Sequence, residues 1–327
     1  MALRTFCNSG DWILAEEYTY PGFLSAVKAH GLKTQGVGMD CNGLISEQLD
    51  EILNSWDINR GRKPFVLYMI PTGHNPTGIT QSIQRRQSIY RVAEKHDLYI
   101  IEDDPYYFLQ FGPPGNELTG NSDTRPSMEQ YLERLPTSYL SLDTAGRVLR
   151  LDSVSKILAP GLRYGWITAS SQVIKKWIAQ TELSTGPPNG LSQIIVYKLL
   201  DETWGHRGLF DWLAYLSTQY RDRRDRLIAG CQTSFPSRTC SWVIPTAGMF
   251  LWLELNAPFS LELEKKIFSK AKENGVLINR GSWFAAADGG NCVHVRLTFA
   301  AAQKNQLEEA VKRLAATLCA NSISNHA

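Results

Sequence analysis

The first two thirds of the chain alternate between short apolar runs and segments in which apolar residues recur at helical spacing. Short apolar runs bounded by polar residues predict buried strands. Strands that alternate with helices predict an α/β domain whose central sheet is mostly parallel. The predicted strands are 12–15, 65–70, 98–101, 148–151 and 165–168, and the predicted helices are 82–96, 172–183, 192–201 and 211–230.

The pattern changes near residue 242. Three apolar segments, 249–255, 276–279 and 293–298, alternate there with two segments of helical periodicity. This arrangement predicts a smaller α+β domain at the C-terminal end of the chain. We therefore divide the chain into a large domain, 1–230, and a small domain, 231–327.

Composition and charge argue against a nucleic acid or an anionic membrane as partner, because 327 residues carry a net charge of only +2. The basic run 221–226 alternates in sign and is interpreted as a solvated helix face. Residues 112–136 are rich in Gly, Pro, Asn and Asp, which predicts a surface excursion. No apolar stretch approaches the about 18 residues that span a bilayer, and the N-terminus has no signal-peptide pattern. These features favour a cytoplasmic protein.

The six cysteines and six histidines are dispersed along the chain. Without a CxxC pair, the cysteines suit neither a zinc site nor a disulfide-stapled domain, and reduced thiols of a cytosolic enzyme are expected. His74 and His206 are interpreted as loop histidines. We expect no metal site.

Three polar residues each follow a predicted strand. Asn75 comes after 65–70, Asp103 after 98–101, and Lys156 after 148–151. In an open parallel sheet, ligands bind outside the carboxyl ends of the strands. We therefore expect these three side chains to meet at one ligand-binding edge.

The segment around Lys156 carries the most chemical information. Ser153 and Ser155 precede the lysine, and Arg163 follows seven positions later. Hydroxyls, an amine and a guanidinium close together suit a ligand with both a phosphate and a carbonyl group. Because lysine forms Schiff bases with aldehydes, the predicted cofactor is pyridoxal 5'-phosphate.

The motifs that follow in order along the chain are PTGHNPTG at 71–78, EDDPYY at 102–107, SVSK at 153–156, Arg163, and VHVR at 293–296. Together they resemble the class I aminotransferases of PLP fold type I, and most closely the aromatic, 2-aminoadipate and kynurenine branch with its fungal members. The resemblance extends from the first residues to about Leu314. It implies an α/β large domain with a mostly parallel sheet and flanking helices, followed by a smaller C-terminal α+β domain.

The resemblance implies a role for each catalytic residue. Lys156 would hold the cofactor as a Schiff base and transfer the substrate proton, and Asp103 would pair with the pyridine nitrogen. Asp104 is the competing candidate, and Asp103 is preferred because Tyr106 stands three positions after it, as in the family. Tyr106 and Asn75 would hydrogen-bond the phenolic oxygen of the cofactor, and Asn75 would also contact the substrate.

The remaining implied roles concern binding. Tyr20 aligns with the aromatic residue that stacks on the pyridine ring. Ser153, Ser155 and Arg163 would bind the phosphate, for which the guanidinium fork is well suited. Arg296, in the small domain, would bind the substrate carboxylate through both of its terminal nitrogens.

The resemblance also has a gap at the N-terminus. The chain begins at a helix end that in the family follows a short phosphate-binding turn, and neither that turn nor the N-terminal arm that crosses to the partner subunit has a counterpart here. Three explanations stay open: a start assigned at an internal methionine, a genuine short form, and a degenerate remnant. We expect weaker cofactor binding and lower solubility than in a full-length relative.

The resemblance implies a ping-pong aminotransferase that acts on an aromatic, kynurenine-like or 2-aminoadipate donor and a 2-oxo acid acceptor, as a homodimer. Three alternatives stay open. The same Schiff base can support elimination or decarboxylation, since fold does not determine reaction. The chain can instead be a PLP-binding sensor module or a non-catalytic partner of a full-length paralogue.

Overall fold

The computed structural model describes residues 1–113, 127–236, 239–287 and 292–320. Its centre is a six-stranded sheet with the strand order β2-β1-β5-β6-β7-β8. A hairpin, β3-β4, lies beside it, and a second sheet has the order β11-β12-β10-β9. The strands are β1 Trp12–Glu16, β2 Lys33–Val37, β3 Met39–Asp40, β4 Gly43–Leu44, β5 Val66–Met69, β6 Tyr99–Asp103, β7 Val148–Ser153, β8 Gly165–Thr168, β9 Cys240–Ser241, β10 Phe250–Pro258, β11 Asn279–Arg280 and β12 Cys292–Thr298.

The α-helices flank these sheets. They begin where the sequence offers caps: the Ser82 hydroxyl, for example, accepts a hydrogen bond from the Arg85 backbone N–H at the start of α4. A π-helix at Lys198–Trp204 joins α8 to α9. The α-helices are α1 Ala2–Phe6, α2 Pro21–Ala29, α3 Ser46–Asn54, α4 Ile83–Lys95, α5 Met128–Leu132, α6 Tyr139–Leu142, α7 Ser171–Glu182, α8 Gly190–Tyr197, α9 Gly205–Ser234, α10 Leu261–Glu273 and α11 Lys304–Ala320.

The large sheet is parallel except for its last strand, which confirms the predicted α/β class. Strands β2, β1, β5, β6 and β7 pair in parallel, and β8 pairs with β7 in antiparallel orientation. Two details of the prediction are wrong. β8 was expected to be buried, but it is an edge strand and Trp166 is exposed. The other edge strand, β2, was not predicted because its sequence, KTQGV, has no apolar run.

Both faces of the large sheet are covered, which explains why its central strands are continuous apolar runs. On one face, Ile13 and Tyr68 pack in a core with residues of α2 and α9. On the other face, Leu14 and Met69 pack in a core with residues of α3 and α4. Because successive residues of a strand point to opposite faces, each strand supplies both cores.

The second sheet confirms the predicted α+β pattern after residue 242. Its strands pair in antiparallel orientation, and its core includes residues of α10, α11 and the end of α9. The strand expected at 276–279 is shorter than predicted. Val276 and Ile278 are buried in the core before the strand begins, and β11 comprises only Asn279 and Arg280.

The boundary between a large domain 1–230 and a small domain 231–327 stays a prediction. Position 230 lies inside α9, and this one helix contributes to both cores. Leu213 packs in the core of the large sheet, whereas Cys231 packs in that of the small sheet.

The excursion predicted at 112–136 is only partly within the structure, since residues 114–126 lie outside the described part. From residue 127 onward the prediction is wrong, because α5 forms there and its Tyr131 is fully buried. The Tyr131 hydroxyl donates a hydrogen bond to the Phe108 carbonyl at 2.5 Å. Within the described ranges, no helix combines the length and apolarity needed to cross a bilayer.

Candidate active site

The three strand ends that carry Asn75, Asp103 and Lys156 are neighbours in the large sheet. β6 pairs with β5 on one side and with β7 on the other, and in that register Asp103 lies opposite Leu151. The loop after β5 carries Asn75, and the turn after β7 carries Lys156. Their backbones therefore meet at one edge of the sheet, as the sequence predicts.

The side-chain partner of the Asp103 carboxylate is an uncharged hydrogen-bond donor. The Tyr68 hydroxyl donates a hydrogen bond to its Oδ2 at 2.5 Å. Burial raises the pKa of Asp103 to about 6, the Tyr68 bond opposes that rise, and the negative charges of Glu16 and Asp152 add to it. Among the described residues, no Lys, Arg or His forms an ion pair with Asp103. The site is therefore complementary to a positively charged ligand group.

Asp104 points to a different environment from its neighbour. It accepts a hydrogen bond from the Thr72 hydroxyl at 3.0 Å, and its Oδ2 lies 3.5 Å from Nη1 of Arg150. Burial raises the pKa of Asp104 to about 7 against the lowering effect of Arg150. Arg150 also contacts Glu102 at 3.3 Å. Asp104 thus belongs to a buried ion-pair network within the protein.

Tyr106 is buried beside Asp103. Burial raises its pKa above the ordinary value, and the charge of Asp103 adds to that rise, while Arg296 opposes it. Its ring meets the Phe250 ring edge-on, with centroids 5.6 Å apart. The charges of Asp103 and Arg296 therefore act on the Tyr106 phenol in opposite directions.

The loop that carries Asn75 is held against the start of β10. Gly73 has a φ of +52°, and a Cβ built there would lie 2.6 Å from the Cα of Gly248. Only glycine at position 73 permits both the left-handed backbone and this approach. The close contact brings Asn75 to the small sheet, where its Oδ1 accepts a hydrogen bond from Arg296 Nη1 at 2.6 Å.

Below this loop lies a buried pair that the sequence did not reveal. His74 lies in a loop, as expected, but its Nε2 is 3.1 Å from Oε2 of Glu16 and its Nδ1 accepts from the Thr77 backbone N–H at 3.3 Å. The Glu16 carboxylate also accepts from the Ile70 backbone N–H at 3.2 Å. The pair anchors the loop at Ile70 and Thr77, on either side of Asn75. His206, by contrast, lies in α9 and is exposed.

Arg296 lies on β12 and is held from four sides. Its Nη1 donates to Asn75 and its Nη2 donates to Asn279 Oδ1 at 2.9 Å. The guanidinium carbon lies 4.3 Å from the Phe250 ring centroid and 4.8 Å from that of Phe284. Burial lowers its pKa, and Tyr106 opposes that change. Among the described residues, no carboxylate forms an ion pair with it.

Lys156 lies in the turn that follows β7. The Ser155 backbone N–H donates to the Ser153 hydroxyl at 3.1 Å, and the Leu158 backbone N–H donates to the Val154 carbonyl at 2.8 Å. These bonds form a compact turn that leaves Lys156 half-buried. The serines and the lysine are therefore close together, as the sequence predicts.

Arg163 and Tyr20 lie at more open positions. Arg163 has a φ of +48°, is exposed, and donates from Nη1 to the Pro160 carbonyl at 3.2 Å. Tyr20 is the N-cap residue of α2 and is 46% exposed. Their predicted contacts with phosphate and ring stay predictions.

Tyr68 and Asn279 are further residues of the site that the sequence analysis missed. Tyr68 lies in the middle of an apolar strand and looks like a core residue until its hydroxyl is placed on Asp103. Asn279 meets Arg296 only through the pairing of β11 with β12. The alternation of the strand places Tyr68 on the same face as Ile70 and gives no indication that its hydroxyl contacts Asp103. The sequence likewise gives no indication that Asn279 contacts Arg296.

The family profile described as "Aminotransferase class I and II" matches residues 1–314. "Aminotransferase swnA" of Arthroderma benhamiae is 47% identical over 97% of this chain and 67% of that protein. "Aromatic amino acid aminotransferase C56E4.03" of Schizosaccharomyces pombe is 38% identical over 97% of this chain and 69% of that protein. The crystal structure of aminotransferase Aro8 from Candida albicans matches with a TM-score of 0.91 and 36% identity, over 98% of this chain and 70% of that one.

The chain belongs to the class I and II aminotransferases, as the motifs predict. It spans about two thirds of the length of these relatives. Pyridoxal phosphate is the cofactor of this class, and the kynurenine aminotransferase of Pyrococcus horikoshii was crystallised with its amine form, PMP. The residues present fit that group, because the buried Asp103 lacks a cation and a protonated pyridine nitrogen would supply one.

Proposed function

We propose that this chain is a pyridoxal phosphate-dependent aminotransferase that moves an amino group from an amino acid to a 2-oxo acid. One observation carries the proposal. Among the described residues, Asp103 forms no ion pair with a cation and Arg296 forms none with an anion, although both charges act on the pKa of the buried Tyr106. A pyridinium ring and a substrate carboxylate would supply the two missing charges. Membership of the family supports the same reaction.

When bound, the cofactor supplies an electron sink and the carbon atom that carries the transferred nitrogen. The Asp103 carboxylate would keep the ring nitrogen protonated. Burial disfavours the charged carboxylate, whereas the Tyr68 hydrogen bond and a positive ring nitrogen beside it would favour that charge. Tyr106 and Asn75 donate to the phenolic oxygen. The remaining cofactor-binding residues of the proposal are Tyr20 at the ring and Ser153, Ser155 and Arg163 at the phosphate.

Two residues handle the substrate. Arg296 binds the substrate carboxylate, and Asn75, which already contacts Arg296, lies next to that group. Lys156 Nζ would hold the cofactor and, once the substrate amine has displaced it, would take the proton that leaves the substrate Cα and deliver it to the cofactor carbon that carries the transferred nitrogen. Because Lys156 is only half-buried, its amine can reach both positions by rotation of its flexible side chain.

The proposed donors are aromatic, kynurenine-like or 2-aminoadipate amino acids, with a 2-oxo acid as acceptor. The S. pombe relative is named an aromatic amino acid aminotransferase, and a bovine relative, 35% identical over 94% of this chain, is named kynurenine/alpha-aminoadipate aminotransferase. The rings of Phe250 and Phe284 on both sides of Arg296 give the carboxylate site apolar walls. Such walls suit an aromatic side chain.

We also propose that the chain acts as a cytoplasmic homodimer. Support comes from large apolar side chains that α7, α8 and the segment between them expose, where Leu183 is 91% and Leu191 is 72% exposed. Exposed apolar area of this extent marks an interaction surface. Light scattering after size exclusion should give twice the monomer mass, and a monomer would remove this part of the proposal. The other members of the patch are Ile178, Ile194, Ile195 and Tyr197.

The first test is an absorbance spectrum of the purified chain with pyridoxal phosphate, before and after borohydride reduction. We expect an absorbance band from the bound cofactor, and reduction should attach the cofactor covalently to Lys156. Lys156→Ala should lose the band. The exposed Lys175→Ala is the matched control and should keep it.

A screen of amino donors with 2-oxoglutarate follows. A new 2-oxo acid together with glutamate identifies transamination, whereas ammonia or carbon dioxide identifies elimination or decarboxylation. Absence of a lysine-dependent band in the wild-type chain would refute the proposed function.

A further inference from the structure

Asn279 is paired with Arg296 across two antiparallel strands. β11 and β12 place Asn279 directly opposite Arg296, and the Asn279 Oδ1 accepts from Arg296 Nη2 at 2.9 Å. On the other side, Asn75 Oδ1 accepts from Nη1 at 2.6 Å. Both terminal nitrogens of the guanidinium are thus held by amide oxygens, which are neutral acceptors.

The two amides fix the orientation of Arg296 and leave its charge uncompensated. The Phe250 and Phe284 rings pack against the guanidinium, and its Nε is buried and has no hydrogen-bond partner among the described residues. Among the residues that the structure describes, no carboxylate lies within ion-pair distance of Arg296. A buried arginine in this state gains free energy from any anion that reaches it.

The position of Asn279 is itself fixed by its neighbours. Arg280 Nε lies 3.6 Å from Oε2 of Glu264, and Glu264 also accepts hydrogen bonds from the backbone and hydroxyl of Ser282. A Cβ built on Gly281 would lie 2.6 Å from Cβ of His294, so this turn packs directly against β12. The short strand β11 therefore has little freedom to move away from Arg296.

We propose that Asn279 is a positioning residue for the carboxylate-binding arginine: it orients Arg296 while leaving the positive charge for the substrate. This inference rests on the proposed function. An aspartate at 279 would have nearly the same shape and the same acceptor, but it would neutralise Arg296 in place of the substrate. The neutrality of the amide, rather than its size, is therefore the property that matters.

The test is Asn279→Asp, with binding and kinetics measured on the full chain with cofactor. Both the amino donor and the 2-oxo acid carry the α-carboxylate, so KM should rise about tenfold or more for both, while kcat changes much less. Calorimetric titration with 3-phenylpropionate, which has the carboxylate but no amine, should show an equal loss of affinity without any turnover.

A neutral probe separates loss of charge from damage to the site. 3-Phenylpropionamide has the same ring and chain without the charge, so its affinity should change little in Asn279→Asp. Asn42→Asp makes the same chemical change on the exposed turn between β3 and β4 and should leave both affinities unchanged. Equal losses for carboxylate and amide in Asn279→Asp would overturn the inference.

Asn279→Ser provides a second variant if Asn279→Asp does not fold. It shortens the side chain and withdraws the acceptor oxygen from Arg296 without adding charge, and the resulting mobility of Arg296 should weaken 3-phenylpropionate binding by a few fold. Unchanged 3-phenylpropionate binding in Asn279→Ser would contradict the positioning role. If the wild-type chain binds 3-phenylpropionate but does not transaminate, the proposed function fails while the role of Asn279 in carboxylate binding is still tested.

Discussion

Two groups of buried charge lie at the same edge of the large sheet, and they are arranged in opposite ways. In the first, Arg150 contacts Glu102 and Asp104 at 3.3 and 3.5 Å, so the charges compensate one another. In the second, the partners of Asp103 and Arg296 among the described residues are neutral, a phenol for one and two amides for the other. The first group is complete and stabilises the fold, whereas the second is completed only by a ligand.

Asp103 and Asp104 are adjacent in the chain, but each belongs to a different one of these two groups. Successive residues at a strand end point to opposite sides. Asp104 therefore turns to the arginine network and Asp103 turns to Tyr68 and the open edge. A carboxylate used for structure and a carboxylate available to a cofactor thus differ by one position in the chain.

Removal of the central cation of the complete group should have the largest effect on stability. In Arg150→Met, Asp104 would lose its ion-pair cation and Glu102 would keep the longer, 3.8 Å contact with Arg86. We therefore expect the free energy of unfolding to fall by about 3–5 kcal/mol. Urea denaturation of the cofactor-free protein measures this. Arg226→Met, in a partly exposed pair with Asp222, is the control and should cost less than about 1 kcal/mol. Similar losses in the two variants would contradict the distinction.

Neutralisation of Asp103 should raise the free energy of unfolding of the cofactor-free protein, whereas loss of Arg150 should lower it. The folded-state pKa of Asp103, about 6, lies above its ordinary value, so its ionisation lowers stability progressively as the pH rises from that ordinary value to about 6, and the loss is complete above it. Between pH 5 and pH 8 the wild type should therefore lose about 1–2 kcal/mol that Asp103→Asn retains. Urea denaturation at both pH values checks this, and pyridoxal phosphate binding by the variant should be weaker.

Asp104 also titrates in this range, because its pKa is about 7, so the wild-type curve alone does not isolate Asp103. The difference between Asp103→Asn and wild type does isolate it, since Asp104 is present in both. An identical pH dependence of the two proteins would show that burial does not raise the pKa of Asp103.

Removal of the neutral partner should have the smallest effect. Tyr68→Phe deletes the 2.5 Å hydrogen bond to Asp103, and a single bond of this kind contributes on the order of 1 kcal/mol. Without it the pKa of Asp103 should rise further, and pyridoxal phosphate affinity should fall by a few fold. Spectroscopic titration of the cofactor measures the affinity, and Tyr90→Phe, far along the chain on α4, serves as the control. Equal affinities for Tyr68→Phe and wild type would remove Tyr68 from the site.

Most of the fold was predictable from local pattern. The central strands were recognised because both faces of the sheet are covered and each strand is apolar throughout. Edge strands escape this rule: β2 was missed because its residues are polar, and β8 was wrongly expected to be buried. The helix at 128–132 was missed because its short length and polar surroundings resemble a loop.

The sequence by itself determined the family, the cofactor and the order of Asn75, Asp103 and Lys156 along one sheet edge, because each of these depends on residues close together in the chain. The tertiary structure alone decided which charges remain uncompensated. Tyr68 reaches Asp103 from the neighbouring strand, Asn279 reaches Arg296 through strand pairing, and Asn75 reaches Arg296 from the loop after β5. Such contacts depend on register and packing between distant segments, which short-range periodicity does not encode.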